Sequence, residues 1–256
     1  MIQPDAKHFQ RNDTAKLAIS LSTPASFKFM YWPINAVGST GREIMAYGDA
    51  KWENLSPEAK EKLRTPFHVL PILYISSEDG EDLVLSEAIV VEHYLAKQFG
   101  LLGDNEYQES LIKVFHSSSS HVQANFAQMV TWSLPEVKAK QLDFFKSSIL
   151  PTWIQTHEKH LADNGNNGHY VGNKLSLADI RTACAIEHFA VQPEASELME
   201  IVNKSVALCK VRETVAVHPK IAPWRASEQY QKLSQGSVAF FANPFAFIPP
   251  PPKNSC

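Results

Sequence analysis

Cysteine is scarce in this chain of 256 residues: only Cys184, Cys209 and Cys256 are present, with no CxxC or metal-ligand spacing. That excludes a disulfide framework and fits a reducing compartment. Glycine is sparse too, ten in all, and no glycine-rich phosphate loop is found among them. No block of like charge stands out against a net charge of -3, so the basic footprint needed for nucleic acid or an anionic membrane is missing. No apolar run is long enough to span a bilayer. The opening MIQPDAKHFQRNDTAK is too polar for a secretory signal, and Cys256, as the last residue, makes no CaaX box. These absences predict a cytoplasmic protein with neither nucleic acid nor membrane as partner. The ten histidines are scattered, and His157-Glu158-Lys159-His160 lacks the HExxH spacing. They read as surface residues rather than metal ligands.

What is present is enough apolar material for a core: 44% of residues are hydrophobic and 20% charged. Residues 1–25 read as a polar, loosely held leader. Phe27, Phe29 and Tyr31 then alternate with Lys28, Met30 and Trp32, which predicts a strand. After a loop at Gly38–Gly41, Thr40 and Glu43 have capping-box spacing and predict a helix start. Two short apolar runs, Ile72–Ile75 and Leu83–Leu85, flank Asp79-Gly80 and predict a hairpin. Ser86 is expected to open the next helix, in which Ala88, Val91 and Leu95 share a face. The order strand, helix, irregular middle, hairpin, helix describes a small α/β domain.

From about residue 106 strand patterns give way to long amphipathic ones, clearest over 108–129, 138–164 and 177–189. Ser176 and Asp179 form a capping box at the head of the last, with Leu175 and Ile180 as a staple. Ser117–Ser120 fall in a helical stretch, where they either line a cleft or permit close packing. The end, SVAFFANPFAFIPPPPKNSC, reads as an aromatic and proline tail. Its Phe240, Phe241, Phe245 and Phe247 are candidates to close over a pocket.

The segments TPFHVLPILY, the Asp-Gly hairpin and LSEAIVVEHYLAKQFGLLG stand in an order that resembles the glutathione-site half of the cytosolic glutathione transferases. HYVGNKLSLADI and VHPKIAPW resemble that family's C-terminal signature and closing element. Tyr31-Trp32 after the first strand points to the tyrosine-type branch, near the sigma, mu and alpha classes. The resemblance implies a thioredoxin-like α/β domain at 26–98, a linker at 99–105, an all-α domain at 106–235 and a tail at 236–256. It also implies a homodimer, with glutathione as co-substrate and no tightly bound cofactor.

The same resemblance assigns roles. Tyr31 donates a hydrogen bond to the glutathione thiol and so favours the thiolate, since a free thiol near pKa 8.5 is ionised by only a few per cent at neutral pH. Pro71 is expected in the cis form, which leaves the backbone of Leu70 facing an extended peptide. Ser86 at a helix N-terminus donates to the γ-glutamyl carboxylate, with Glu87 beside it in place of the acceptor that the family has at position 85. Lys62 meets the glycine carboxylate, and Arg42 loosely matches a family arginine. Three positions depart from the pattern: Leu85 where the family has Gln or Glu, Glu58 in place of a tryptophan, and Ser120-His121 in place of the partner subunit's acid. Three functions follow: conjugation of glutathione to a small hydrophobic electrophile, glutathione-dependent isomerisation, and a binding or regulatory protein that keeps the fold without turnover.

Overall fold

The computed structural model describes residues 14–56, 67–78 and 82–247. Lys62, Glu58, the Asp79-Gly80 turn, Cys256 and the four-proline run lie outside the described residues. The first part of the chain forms α1 (Thr14–Ser22), β1 (Pro24–Met30), α2 (Gly38–Tyr47), β2 (Trp52–Leu55), β3 (Ile72–Ser77), β4 (Asp82–Ser86) and α3 (Ala88–Gln98). The sheet order is β2-β1-β3-β4, with β1 parallel to β2 and antiparallel to β3, and the β3-β4 hairpin antiparallel. The sheet has the mixed, thioredoxin-like arrangement.

Strand alternation sends Phe27 and Phe29 into the main core with Ile44, Met45, Val91 and Leu95 of the two helices. Met30, Ile72, Tyr74 and Val84 form a second apolar cluster. The leader is shorter than the sequence suggests. α1 lies against β3 and β4, and Leu21 O accepts from Tyr94 Oη at 2.9 Å and from Gln98 Nε2 at 3.1 Å.

A second correction concerns α2. It begins at Gly38 without any side-chain cap, and Thr40 and Glu43 do not cap it. Both turn outward to the helical domain instead: Thr40 Oγ1 accepts from Arg181, and Glu43 pairs with Arg225 at 2.9 Å. The spacing was right for a box, but two long-range arginines offer the buried oxygens charged donors that a local N–H cannot match.

The helical domain runs through α4 (Glu106–Phe126, prolonged by a π turn Ala127–Thr131) and α5 (Pro135–Phe144, followed by a π turn Phe145–Ile149). It continues with α6 (Leu150–Asp163), α7 (Leu177–Ala190), α8 (Ala195–Val202), α9 (Val206–Ala216), α10 (Ala222–Ala226) and α11 (Glu228–Ala242). Buried α7 is the axis, packed by α4, α8 and α9. Its capping box is formed: Ser176 N donates to Asp179 Oδ2 at 2.8 Å, and Asp179 Oδ1 also accepts from Tyr170 N at 2.8 Å.

The serine run does both jobs left open for it: Ser119 is buried against Thr182 of α7, and Ser120 faces the interdomain cleft. The surface reading of the histidines is wrong for three of them. His116, His157 and His188 are buried, bonded to Glu92, to Ser118 and Tyr170, and to Gln192. Helical periodicity does not distinguish a core histidine from a surface one when its partners are distant in sequence.

The two domains meet through the linker, where Leu177 N donates to Leu101 O at 3.0 Å. The Glu43–Arg225 pair adds an ionic tie, and Trp52 packs edge-on against Trp224 at 5.4 Å. Removing one partner of such a buried pair costs about 3–5 kcal/mol.

Candidate functional site

A cavity of about 980 Å³ opens between the domains. The segment after β1 supplies one wall with Tyr31, Trp32, Ile34, Ala36 and Val37. The start of α3 supplies Glu87, Ala88, Ile89 and Glu92. Opposite stand Ser120, Gln123, Ala124, Ala127 and Thr131 of α4 and its π turn, with Trp132, and Arg181 and His188 of α7. Phe240 and Phe241 close the end. These two are not on a strap: α11 runs through 242, so the tail expected from 236 begins as helix. Phe245, just beyond, packs edge-on against Trp132 at 5.9 Å.

Tyr31 lies just past β1, its ring buried against Gly38. A Cβ on Gly38 would fall 2.5 Å from Tyr31 Cδ1, so only glycine lets α2 start against the ring. Burial pushes the phenol pKa up, against the opposing pull of Arg42, the backbone N–H groups of Val37 and Gly38, and Arg181. The hydroxyl therefore keeps its proton at neutral pH and is a donor.

Arg42 does not reach the cavity. It is wholly buried, and its guanidinium lies 5.5 Å from the Tyr31 ring centroid and 5.6 Å from that of Phe29. It donates to Ile34 O at 2.7 Å, Trp32 O at 3.0 Å and Asn54 Oδ1 at 2.9 Å. Burial brings its pKa down to about 10, so it stays cationic. Its expected contact with glutathione is corrected to a support under Tyr31, because its donors pin the loop from Trp32 to Ile34. That loop in turn packs on α11, where Asn35 N donates to Ser237 Oγ at 2.6 Å. Any side chain at Gly236 would strike Pro33 O.

The helix start after the hairpin also differs from expectation. Ser86 is the last residue of β4, paired with Ile72 and buried, and it does not line the cavity. Glu87, at φ 72°, is the residue before the first turn of α3, and Ala88 opens the helix. The sequence reading was one residue early because the ladder with β3 holds Ser86 in the strand. The open N-terminus therefore presents Glu87 and Ala88 to the cavity, with Ser86 one residue before them at the end of the strand. Leu85 pairs with Leu73 and packs on the core. The Leu70-Pro71 bond is cis, as the resemblance implies. Among the described residues, neither the N–H nor the carbonyl of Leu70 has a hydrogen-bond partner.

Gln123, Arg181, His188 and Trp132 were not singled out from the sequence. The available signal was Arg181 itself, a charge two residues beyond Asp179 in a stretch, Leu177–Ile186, that is otherwise apolar or small. Among the described residues no group of three or more His, Cys, Asp or Glu could hold a metal, and no helix is long and apolar enough to cross a membrane.

A thioredoxin-like domain joined to an all-helical one is the architecture of the cytosolic glutathione transferases. Residues 121–228 match the family model described as glutathione S-transferase, C-terminal domain. The chain is 26% identical over 201 residues to a probable glutathione S-transferase 6 of Caenorhabditis elegans, covering 76% of this chain and 89% of that one. It is also 26% identical over 190 residues to S-crystallin SL11 of Nototodarus sloanii, covering 72% and 87%. In fold it resembles the prostaglandin synthase D structure of Nilaparvata lugens, with a TM-score of 0.68, 21% identity, and coverage of 79% and 98%. The chain is thus similar to glutathione S-transferases in sequence and in fold, and its residues 121–228 match that family's C-terminal domain.

Proposed function

We propose that this protein is a tyrosine-type transferase that conjugates reduced glutathione to a small hydrophobic electrophile held in the interdomain cavity. The observation that carries this reading is Tyr31, a protonated phenol on the wall of an otherwise largely apolar cavity. The Tyr31 hydroxyl donates to the glutathione sulfur, the thiol proton passes to water, and the thiolate forms a bond to the electrophilic carbon. The leaving group departs with its electron pair, or an activated alkene takes up a proton. Each pKa unit by which the thiol is lowered corresponds to about 1.4 kcal/mol.

The peptide would lie along Leu70 in the manner of an added strand, with its γ-glutamyl end at Glu87 and the open start of α3. Lys62 is retained as the candidate for the glycine carboxylate. A cytoplasmic homodimer fits the family, and exposed Phe67 and Val90 give apolar surface for a second copy. An isomerase, in which the thiolate adds and then leaves, uses the same groups.

The second reading, a binding protein without turnover, is favoured by Leu85, an apolar core residue where the family has Gln or Glu, and by Arg42, which is buried away from the cavity. One of the sequence relatives is an S-crystallin. Retention on immobilised glutathione, followed by conjugation of a generic aryl halide by wild type and Tyr31→Phe, separates the two. Retention with turnover that collapses in Tyr31→Phe supports the transferase; retention without turnover supports the binding protein.

A further inference from the structure

The helical wall of the cavity holds a cation without an anion. Arg181 donates to Ser120 Oγ at 2.9 Å, Thr40 Oγ1 at 3.2 Å and Gln123 Oε1 at 2.5 Å. All three acceptors are neutral, and among the described residues no carboxylate lies within ion-pair distance of the guanidinium. A guanidinium has five N–H donors, so two remain. A cation this deeply buried is ordinarily paired, because its hydration has been given up.

The neighbouring groups are donors as well. Because Gln123 Oε1 is turned toward Arg181, its Nε2 is an amide donor, and it has no partner although the residue is 98% buried, that is, 2% exposed. His188 stands seven residues after Arg181, two turns along the same face of α7. Its Nε2 accepts from Gln192 Nε2 at 3.2 Å, which leaves the proton on an unpartnered Nδ1. The two carboxylates of the cavity, Glu87 and Glu92, come from α3 on the other domain. Glu92 is occupied with His116 through one oxygen.

We infer that the cavity accepts an apolar monocarboxylate, its carboxylate seated on Arg181 and Gln123 and its hydrocarbon against Trp132, Phe240 and Phe241. The donor set is complementary to an anionic oxygen pair. The aromatic end of the same cavity is complementary to a chain. A neutral ligand would leave the buried cation unpaired. The inference rests on the cavity of the proposed transferase and names the class of molecule that it takes.

Isothermal titration without glutathione, using decanoate and methyl decanoate, tests it. Wild type is expected to bind decanoate at least tenfold more tightly than the ester. Arg181→Met should abolish the difference. Gln123→Glu, which supplies Arg181 with a counter-ion of unchanged shape and so keeps the fold, should lower decanoate affinity tenfold or more and leave the ester within twofold. Equal affinity for acid and ester in wild type, or an acid preference that survives Gln123→Glu, overturns the inference. A chain that prefers the acid but neither binds nor conjugates glutathione breaks the transferase reading and leaves this one standing. A chain that conjugates aryl halides without any acid preference breaks this one alone.

Discussion

Helices α7 and α3 begin in opposite ways. At the head of α7 the capping box is complete, and Asp179 also takes the Tyr170 N–H, so the buried polar groups are satisfied within the chain. At the head of α3 no side chain of the described residues caps the helix, Glu87 is held at φ 72°, and the start faces the interdomain cavity. A closed helix start contributes to the fold. An open one keeps its N–H groups and its positive end available for an anionic ligand. The two arginines reverse the assignment, the fold-serving one lying in the α/β domain and the cavity-facing one on α7 itself. Arg42 donates to backbone carbonyls and fixes a loop, whereas Arg181 donates to neutral side chains and borders the cavity.

The largest effect is expected from acid, acting on the helical domain. Burial holds His157 and His188 of the helical domain down to about 3, against about 6.5 in an unfolded chain. The unfolded state therefore binds protons first as pH falls. The stability these groups contribute is complete above about pH 6.5 and is lost progressively toward pH 3, at roughly 1 kcal/mol per pH unit for each group. Urea unfolding at pH 7, 6 and 5 measures it. A flat profile across that window would show that these histidines are accessible to protons in the folded state.

Next in size is Asp179→Ala, which strips acceptors from the buried Ser176 and Tyr170 N–H groups and should cost about 3–5 kcal/mol in chemical unfolding. A loss below 1 kcal/mol would dissolve the contrast between the two helix starts.

Tyr31→Phe should leave the fold intact and lower kcat/KM by about 10–100-fold, or about 1.4–2.7 kcal/mol. The apparent thiol pKa in the rate profile should rise with it. An unchanged profile would take Tyr31 out of the chemistry.

Glu87→Gly gives the smallest change in stability and the sharpest comparison. Glycine tolerates φ 72° without strain but frees the unfolded chain, so the two effects offset and stability should stay within about 1 kcal/mol while retention on immobilised glutathione falls. Undiminished retention would mean that the bare helix terminus binds without its acidic neighbour.

Where a feature depended on neighbours in the chain, it was legible beforehand. The hairpin pairing of Ile72–Ile75 with Leu83–Leu85, the box at Ser176 and Asp179, and the long helices after residue 106 all follow from local periodicity and turn chemistry. The cis bond at Pro71 came from resemblance rather than from spacing. The readings that failed are those with a distant partner. Thr40 and Glu43 have the spacing of a box but answer to Arg181 and Arg225, more than a hundred residues on. Ser86 looks like a cap until the ladder with Ile72 claims it for β4. His116 and His157 sit in helical patterns that do not reveal Glu92 or Tyr170 as their partners.

By itself, then, the sequence determined the two-domain plan, the order of β1, α2, the β3-β4 hairpin and α3, and the tyrosine after the first strand, because these rest on periodicity, turns and composition. Only the tertiary structure decided which charges serve the fold and which face the cavity. Arg42 and Arg181 are chemically identical side chains. What separates them is whether the surrounding backbone supplies enough acceptors to absorb the guanidinium, and no local pattern encodes that.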